Sequence, residues 1–94
     1  MNLKNIDLGK IATFKLLVKE ASFSKASKES GISYSSLAHD MATLEKGLEV
    51  TLFHRTKRKF IPTKEGLELL KIFEETIQKL NSMSGYDTKT ENFE

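Results

Sequence analysis

The stretch GISYSSLAHDMATL, residues 31–44, decides the fold. Gly31 suits the backbone of a tight turn, and Ser33 is placed to cap a helix that follows it. In that helix Leu37, Met41, Leu44 and Leu48 fall on one narrow apolar stripe. The wheel leaves Ser35, His39, Ala42 and Lys46 on the opposite side, with Ser36 and Thr43 flanking. Asp40 falls about 60° from the stripe, which directs it toward a neighbouring helix.

Upstream, Ile11, Phe14, Leu17, Val18 and Ala21 recur at helical spacing and predict a helix from about Asp7 to Glu20, capped by Asp7 or Asn5. Ser22-Phe23-Ser24 interrupts it. Ser24 is expected to cap a short second helix, about Lys25 to Glu29, burying Ala26 and ending at Gly31. Two helices joined by a short turn containing Gly form the helix-turn-helix pattern.

Downstream, Val50–Phe53 and Lys59–Pro62 read as two short strands around the polar turn His54–Arg58, a wing. Pro62 and Thr63 open a last helix to about Asn81, with Thr63 as its cap. Its Leu67, Leu69, Leu70, Ile72, Phe73, Ile77 and Leu80 cover a broader arc than one packing contact occupies, so part of that arc is expected to meet a second chain. The fold class is therefore mainly α: three helices and a two-stranded wing, then a long C-terminal helix. The expected divisions are 1–64 for the helix-turn-helix and wing, 65–81 for the long helix, and 82–94 for a disordered tail or truncated linker.

The 94 residues, 38% hydrophobic and 30% charged, hold one small domain whose core gains from a partner chain. No Cys is present, so disulfides and thiolate chemistry are excluded and a structural zinc site is not expected. The N-terminal MNLKNIDLGK lacks the pattern of a secretion signal, and no stretch approaches a membrane span of roughly 18 apolar residues. A soluble, cytoplasmic protein is expected. The net charge of +2 is unevenly spread. Between Leu52 and Lys64 stand Arg55, Lys57, Arg58, Lys59 and Lys64 with no acid among them.

The runs FKLLVKEASFSKAS, SLAHDMATLEKGLEVTLFHR and PTKEG, in that order, resemble the N-terminal DNA-binding domain of LysR-type transcriptional regulators. The resemblance covers about Leu3 to Leu80, and Leu-Phe-x-Arg followed by Thr-x-x-Gly is its most specific part. It implies a winged helix-turn-helix that binds promoter DNA and forms a homodimer through the C-terminal helix. The ligand-binding domain into which such proteins usually continue is not among these residues. Tyr34, Ser35, Ser36, Ala38 and His39 depart from the family's usual residues in and after the turn, so no operator sequence carries over. Ser30 stands where the family buries a Leu.

Short hydroxyls bond base edges or phosphates, and a helix N-terminus adds N–H groups and a favourable dipole, so a reading helix need not be cationic. The expected partner is double-stranded DNA, contacted by Ser24, Lys25, Ser33, Tyr34, Ser35, Ser36, His39 and Thr43, with Arg55, Lys57, Arg58 and Lys59 of the wing on phosphates. Tyr34 either contacts the nucleic acid or covers the turn. Arg55, at the wing's base, has a place in holding the fold as well as in facing DNA. Dimerisation is assigned to Leu70, Phe73, Ile77 and Leu80.

No cofactor, metal, membrane or small-molecule site is expected: His39 and His54 have no carboxylate cluster at ligand spacing. Ser22-Phe23-Ser24-Lys25 matches the Ser-x-x-Lys of some acyl enzymes but lacks the companion motifs, and catalysis is discarded. Two rival functions stay open. One is a small dimerising antagonist of longer relatives that has lost specific DNA binding; the other is a sequence-indifferent binder acting through the wing.

Overall fold

Asp7 and Ser22 begin the chain's first two helices by the same device, a short side chain accepting from the backbone N–H three residues ahead. In the computed structural model, which describes residues 4, 6–56 and 59–84, α1 spans Leu8–Glu20, α2 Phe23–Ser30 and α3 Tyr34–Leu48. They are followed by β1, Phe53–Arg55, β2, Phe60–Pro62, and α4, Lys64–Ser84. The Asp7 carboxylate takes the Lys10 backbone N–H at 2.8 Å and the Lys10 ammonium at 3.0 Å. Those two bonds, the ammonium's first, hold its carboxyl below the usual value.

The second helix starts earlier than its hydroxyls suggest. Ser22, not Ser24, is the cap, its Oγ accepting from Lys25 N at 3.1 Å, so Phe23 becomes the first helical residue. Both serines satisfy the local rule; burial of Phe23 in the core decides between them. Ala21 makes room by taking a left-handed φ of 57°, its N–H closing α1 onto the Leu17 carbonyl at 2.8 Å. Gly31 closes α2 with φ 78°. Ser30 is exposed, and its Oγ accepts from Ile32 N within the turn.

The core comprises Ile11, Phe14 and Leu17 of α1, Phe23 and Ala26 of α2, and Leu37, Met41 and Leu44 of α3, with Leu52 and Phe60. The stripe of α3 is thus spent inside its own domain, with Leu48 packed partly against it. Asp40 is half-buried and adds a favourable charge interaction to Lys10 of α1.

The wing is shorter and later than expected. β1 and β2 pair antiparallel with Phe53 opposite Pro62, His54 opposite Ile61 and Arg55 opposite Phe60. Val50–Leu52 is not a strand, because the polar groups of Leu52 are taken by other partners: its N–H by the Glu45 carboxylate of α3 at 2.7 Å, its carbonyl by Thr63 N–H at 2.9 Å. Phe60 N–H donates to the Ala21 carbonyl at 3.2 Å and ties β2 to the end of α1.

Thr63 caps α4, accepting from Gly66 N at 2.9 Å while its hydroxyl donates to the Thr51 carbonyl at 2.7 Å. Gly66 is buried, and a Cβ there would lie 2.8 Å from Phe14 Cζ and closer still to the Leu52 carbonyl oxygen. The Thr-x-x-Gly motif is therefore a seat: threonine pins the helix start, and the missing side chain lets it lie on the Leu52 backbone. Lys15 of α1 and Glu74 of α4 form an ion pair further along. The helix runs through Ser84, past the expected end at Asn81, so Ser82–Ser84 are helical rather than tail. The rest of the expected tail lies outside the described residues.

Candidate nucleic-acid interface

Three chain segments converge beside the start of α3 because of one aromatic group. Phe23 places its ring 5.2 Å from Tyr34, 5.9 Å from Phe53 and 5.4 Å from Phe60, centroid to centroid. Phe53 and Phe60 stack across the wing at 4.4 Å and 19°, and Phe60 reaches Phe14 of α1 at 5.8 Å. The Arg55 guanidinium carbon lies 4.3 Å from the Phe23 centroid and 5.8 Å from that of Tyr34. Leu-Phe-x-Arg thus divides its labour: Leu52 is buried, Phe53 stacks within the wing, and Arg55 crosses to α2 and α3.

The result is a shallow cleft lined by Ser22, Phe23, Ser24, Tyr34, Arg55, Thr56 and Lys59. Of the residues expected to meet a nucleic acid, Ser24, Tyr34, Arg55 and Lys59 are gathered here. Lys25 is exposed in the first turn of α2. Along α3, Ser35, Ser36 and His39 are exposed and Thr43 is half-buried. Ser33 is occupied by its capping duty: its Oγ accepts from Ser36 N at 3.2 Å and donates to Ser36 Oγ at 3.0 Å. Ser36 Oγ, accepting that hydrogen bond, still has its own hydroxyl hydrogen to donate. Lys57 and Arg58 lie outside the described residues.

Ser22, Phe23 and Thr56 belong to the cleft but were not among the sequence candidates. Nor was Glu45, whose Oε2 accepts from Leu52 N and, at 3.4 Å, from Phe53 N, fastening the wing's first strand to α3. Phe23 sits in a Ser-Phe-Ser run that reads as an interruption, and no local spacing marks Glu45 as a wing ligand.

The proposed dimer residues are divided by the fold. Leu70 and Phe73 are half-buried against the domain's own core, as is Leu69. Ile77 is half-buried. Leu80 is exposed, together with Leu67, Ile72 and Met83, the last at 81%. Among the described residues no helix is long and apolar enough to cross a membrane, and no group of three metal-ligating side chains occurs.

The family model of bacterial regulatory helix-turn-helix proteins, lysR family, matches residues 8–67, from the start of α1 to the seat of α4. The chain belongs to the LysR family. This LysR-family chain is 32% identical over 74 residues to the HTH-type transcriptional activator AmpR of Rhodobacter capsulatus, covering 79% of this chain and 26% of AmpR. It is 33% identical over 87 residues to the uncharacterized HTH-type transcriptional regulator YbhD of Escherichia coli K12, covering 85% and 27%. It therefore spans about a quarter of the length of these relatives. Among solved structures, a BenM_DBD/benA site 1 DNA complex superposes with a TM-score of 0.74 at 25% identity, covering 85% of this chain and 93% of that one. An OxyR C206S mutant of Corynebacterium glutamicum with H2O2 bound gives a TM-score of 0.71 at 32% identity, covering 82% and 24%.

Proposed function

We propose that the chain is the DNA-binding part of a transcription regulator, with α3 lying in the major groove and the wing on the phosphate backbone. One observation carries the reading. Leu37, Met41 and Leu44 of the apolar stripe of α3 are buried inside the domain, while Ser35, Ser36, His39, Ala42 and Lys46 remain exposed on its other side, and the wing that follows is basic and free of acids. Tyr34, at the start of the same helix, lines a cleft with Arg55 and Lys59 of the wing, so the exposed face of α3 and the basic wing meet at one end. In this reading the hydroxyls and His39 discriminate bases and the wing supplies charge. The likeness to a BenM_DBD/DNA complex supports the choice of duplex DNA as partner.

The test is titration of a selected duplex against excess random DNA at several salt concentrations. Replacing Ser35, Ser36 or His39 with Ala should cost about 1–3 kcal/mol on the selected duplex wherever a base contact is removed, and far less on random DNA. Replacing Lys57, Arg58 and Lys59 together should weaken both duplexes alike and flatten the salt dependence by up to about one unit of slope per phosphate lost. Unchanged discrimination in all the α3 variants would remove that helix as the reader. No preference in the wild-type chain would leave the dimerising antagonist or the sequence-indifferent binder.

The dimer is proposed on the face of α4 that the domain leaves uncovered, where Ile72, Leu80 and Met83 lie on one side. With Leu70 and Phe73 engaged on the domain's own core, the dimer seam is drawn through Ile72 and Leu80 in preference to them. Ile72→Glu with Leu80→Glu should yield a folded monomer by light scattering. A wild-type monomer at tens of micromolar, meaning association weaker than roughly 7 kcal/mol, would remove the dimer.

A further inference from the structure

Tyr34 opens the recognition helix at a position where a side chain could read a base, yet its ring is engaged elsewhere. It lies against Phe23 at 5.2 Å with the planes 37° apart, and the Arg55 guanidinium approaches both rings. These three residues come from α3, α2 and β1, and no backbone hydrogen bond links α3 to β1 at this point. At the opposite end of the helix the Glu45 carboxylate ties α3 to the wing's first strand, accepting from the backbone N–H groups of Leu52 and Phe53.

We propose that Tyr34 and Arg55 are a coupled pair of positioning residues: the Phe23–Tyr34–Arg55 cluster fixes the wing to the start of α3, and Tyr34 contributes its ring rather than its hydroxyl. The inference rests on the DNA-binding reading above and deepens it. A guanidinium packs on aromatic faces as a plane, whereas an ammonium in the same place is a hydrated point charge. Arg55 therefore does two things that can be separated by substitution, carrying a charge and filling a slot between strand and helix. With α3 pinned by Glu45 near its C-terminal end and by the aromatic cluster at its N-terminal end, reader and wing dock on DNA as one body. Arg55 lines the same cleft as Lys59.

The experiment has two arms. In the free chain, NMR of the Arg55 Nε–H and δ-methylene protons should show upfield ring-current shifts that Tyr34→Ala reduces and Tyr34→Phe preserves. Arg55 resonances at random-coil positions in the wild type would overturn the proposal directly. In the second arm, the selected and random duplexes are titrated with the variants. Tyr34→Phe should match the wild type within about two-fold, while Tyr34→Ala and Arg55→Lys should each weaken selected-duplex binding by about three- to ten-fold. Arg55→Lys keeps its charge, so the slope of log affinity against log salt should stay unchanged. The Tyr34→Ala/Arg55→Lys double variant should be no weaker than the worse single one. Multiplicative losses, a wild-type Arg55→Lys, or loss of discrimination in Tyr34→Phe would each overturn the inference while leaving the DNA-binding reading intact. Absence of any duplex preference in the wild type would instead overturn that reading, and with it the DNA half of the inference, leaving the first arm to decide the cluster itself.

Discussion

Gly66→Ala should destabilise the domain by about 2 kcal/mol, although alanine is the better helix former. The new Cβ would meet the Leu52 carbonyl oxygen and lie 2.8 Å from Phe14 Cζ. Overpacking of this kind costs typically 1–3 kcal/mol and more when backbone must move, against roughly 1 kcal/mol gained from helix propensity. The backbone resists here, because the Leu52 carbonyl is already held by Thr63 N–H and the Leu52 N–H by Glu45. Thermal unfolding followed by circular dichroism should show a midpoint lowered by about 10 °C. Phe14→Leu in the same chain separates the two obstacles. It removes the ring tip but leaves the carbonyl, so the cost of Gly66→Ala should persist in that background. A Gly66→Ala variant as stable as the wild type would mean that α4 does not sit on the Leu52 backbone.

Phe60→Ala should cost more, about 3–5 kcal/mol, the range for removing a buried aromatic side chain. Only 2% of Phe60 is exposed, and it touches the rings of Phe14, Phe23 and Phe53. It is the one residue through which β2 enters the helical core, by its ring and by its N–H on Ala21. Urea titration should give a much lower midpoint, with Phe60→Leu falling between the variant and the wild type. Against a total stability of about 5–15 kcal/mol typical of small domains, the alanine variant stands near the edge of folding. If Phe60→Ala changes the midpoint no more than a surface substitution does, the aromatic group is not the wing's anchor.

What was legible in the sequence was what neighbouring residues decide. Ser33 and Thr63 are the caps expected and Asp7 is one of the two candidates for α1, since a cap is a hydroxyl or carboxylate within three residues of the N–H that it serves. Leu37, Met41 and Leu44 are buried as their period implies. Where two local answers were equal, something distant chose. Ser22 displaced Ser24 because Phe23 had a place in the core, and the first strand moved from Val50–Phe53 to Phe53–Arg55 because Glu45 and Thr63 claimed the polar groups of Leu52. The candidate interface shows the same division. The exposed face of α3 follows from its wheel, but Tyr34 and Arg55 are joined by an aromatic residue that lies in neither segment. Leu70 and Phe73 share the period of a free seam, and only the tertiary packing of α4 assigns them inward.

The seat at Gly66 also sets the mechanics of α4. From Gly66 to Ser84 the helix extends about 27 Å at 1.5 Å per residue, held near its start by the Leu52 contact and midway by the Lys15–Glu74 ion pair. It is a lever with its fulcrum inside the core. A tilt of about 10° at the fulcrum moves the far end by about 5 Å, close to one helical turn. Any chain joined to that end would take its aim from the seat at Gly66 together with the packing of Leu69, Leu70 and Phe73, and a substitution at Gly66 is expected to shift the arm as well as loosen the domain.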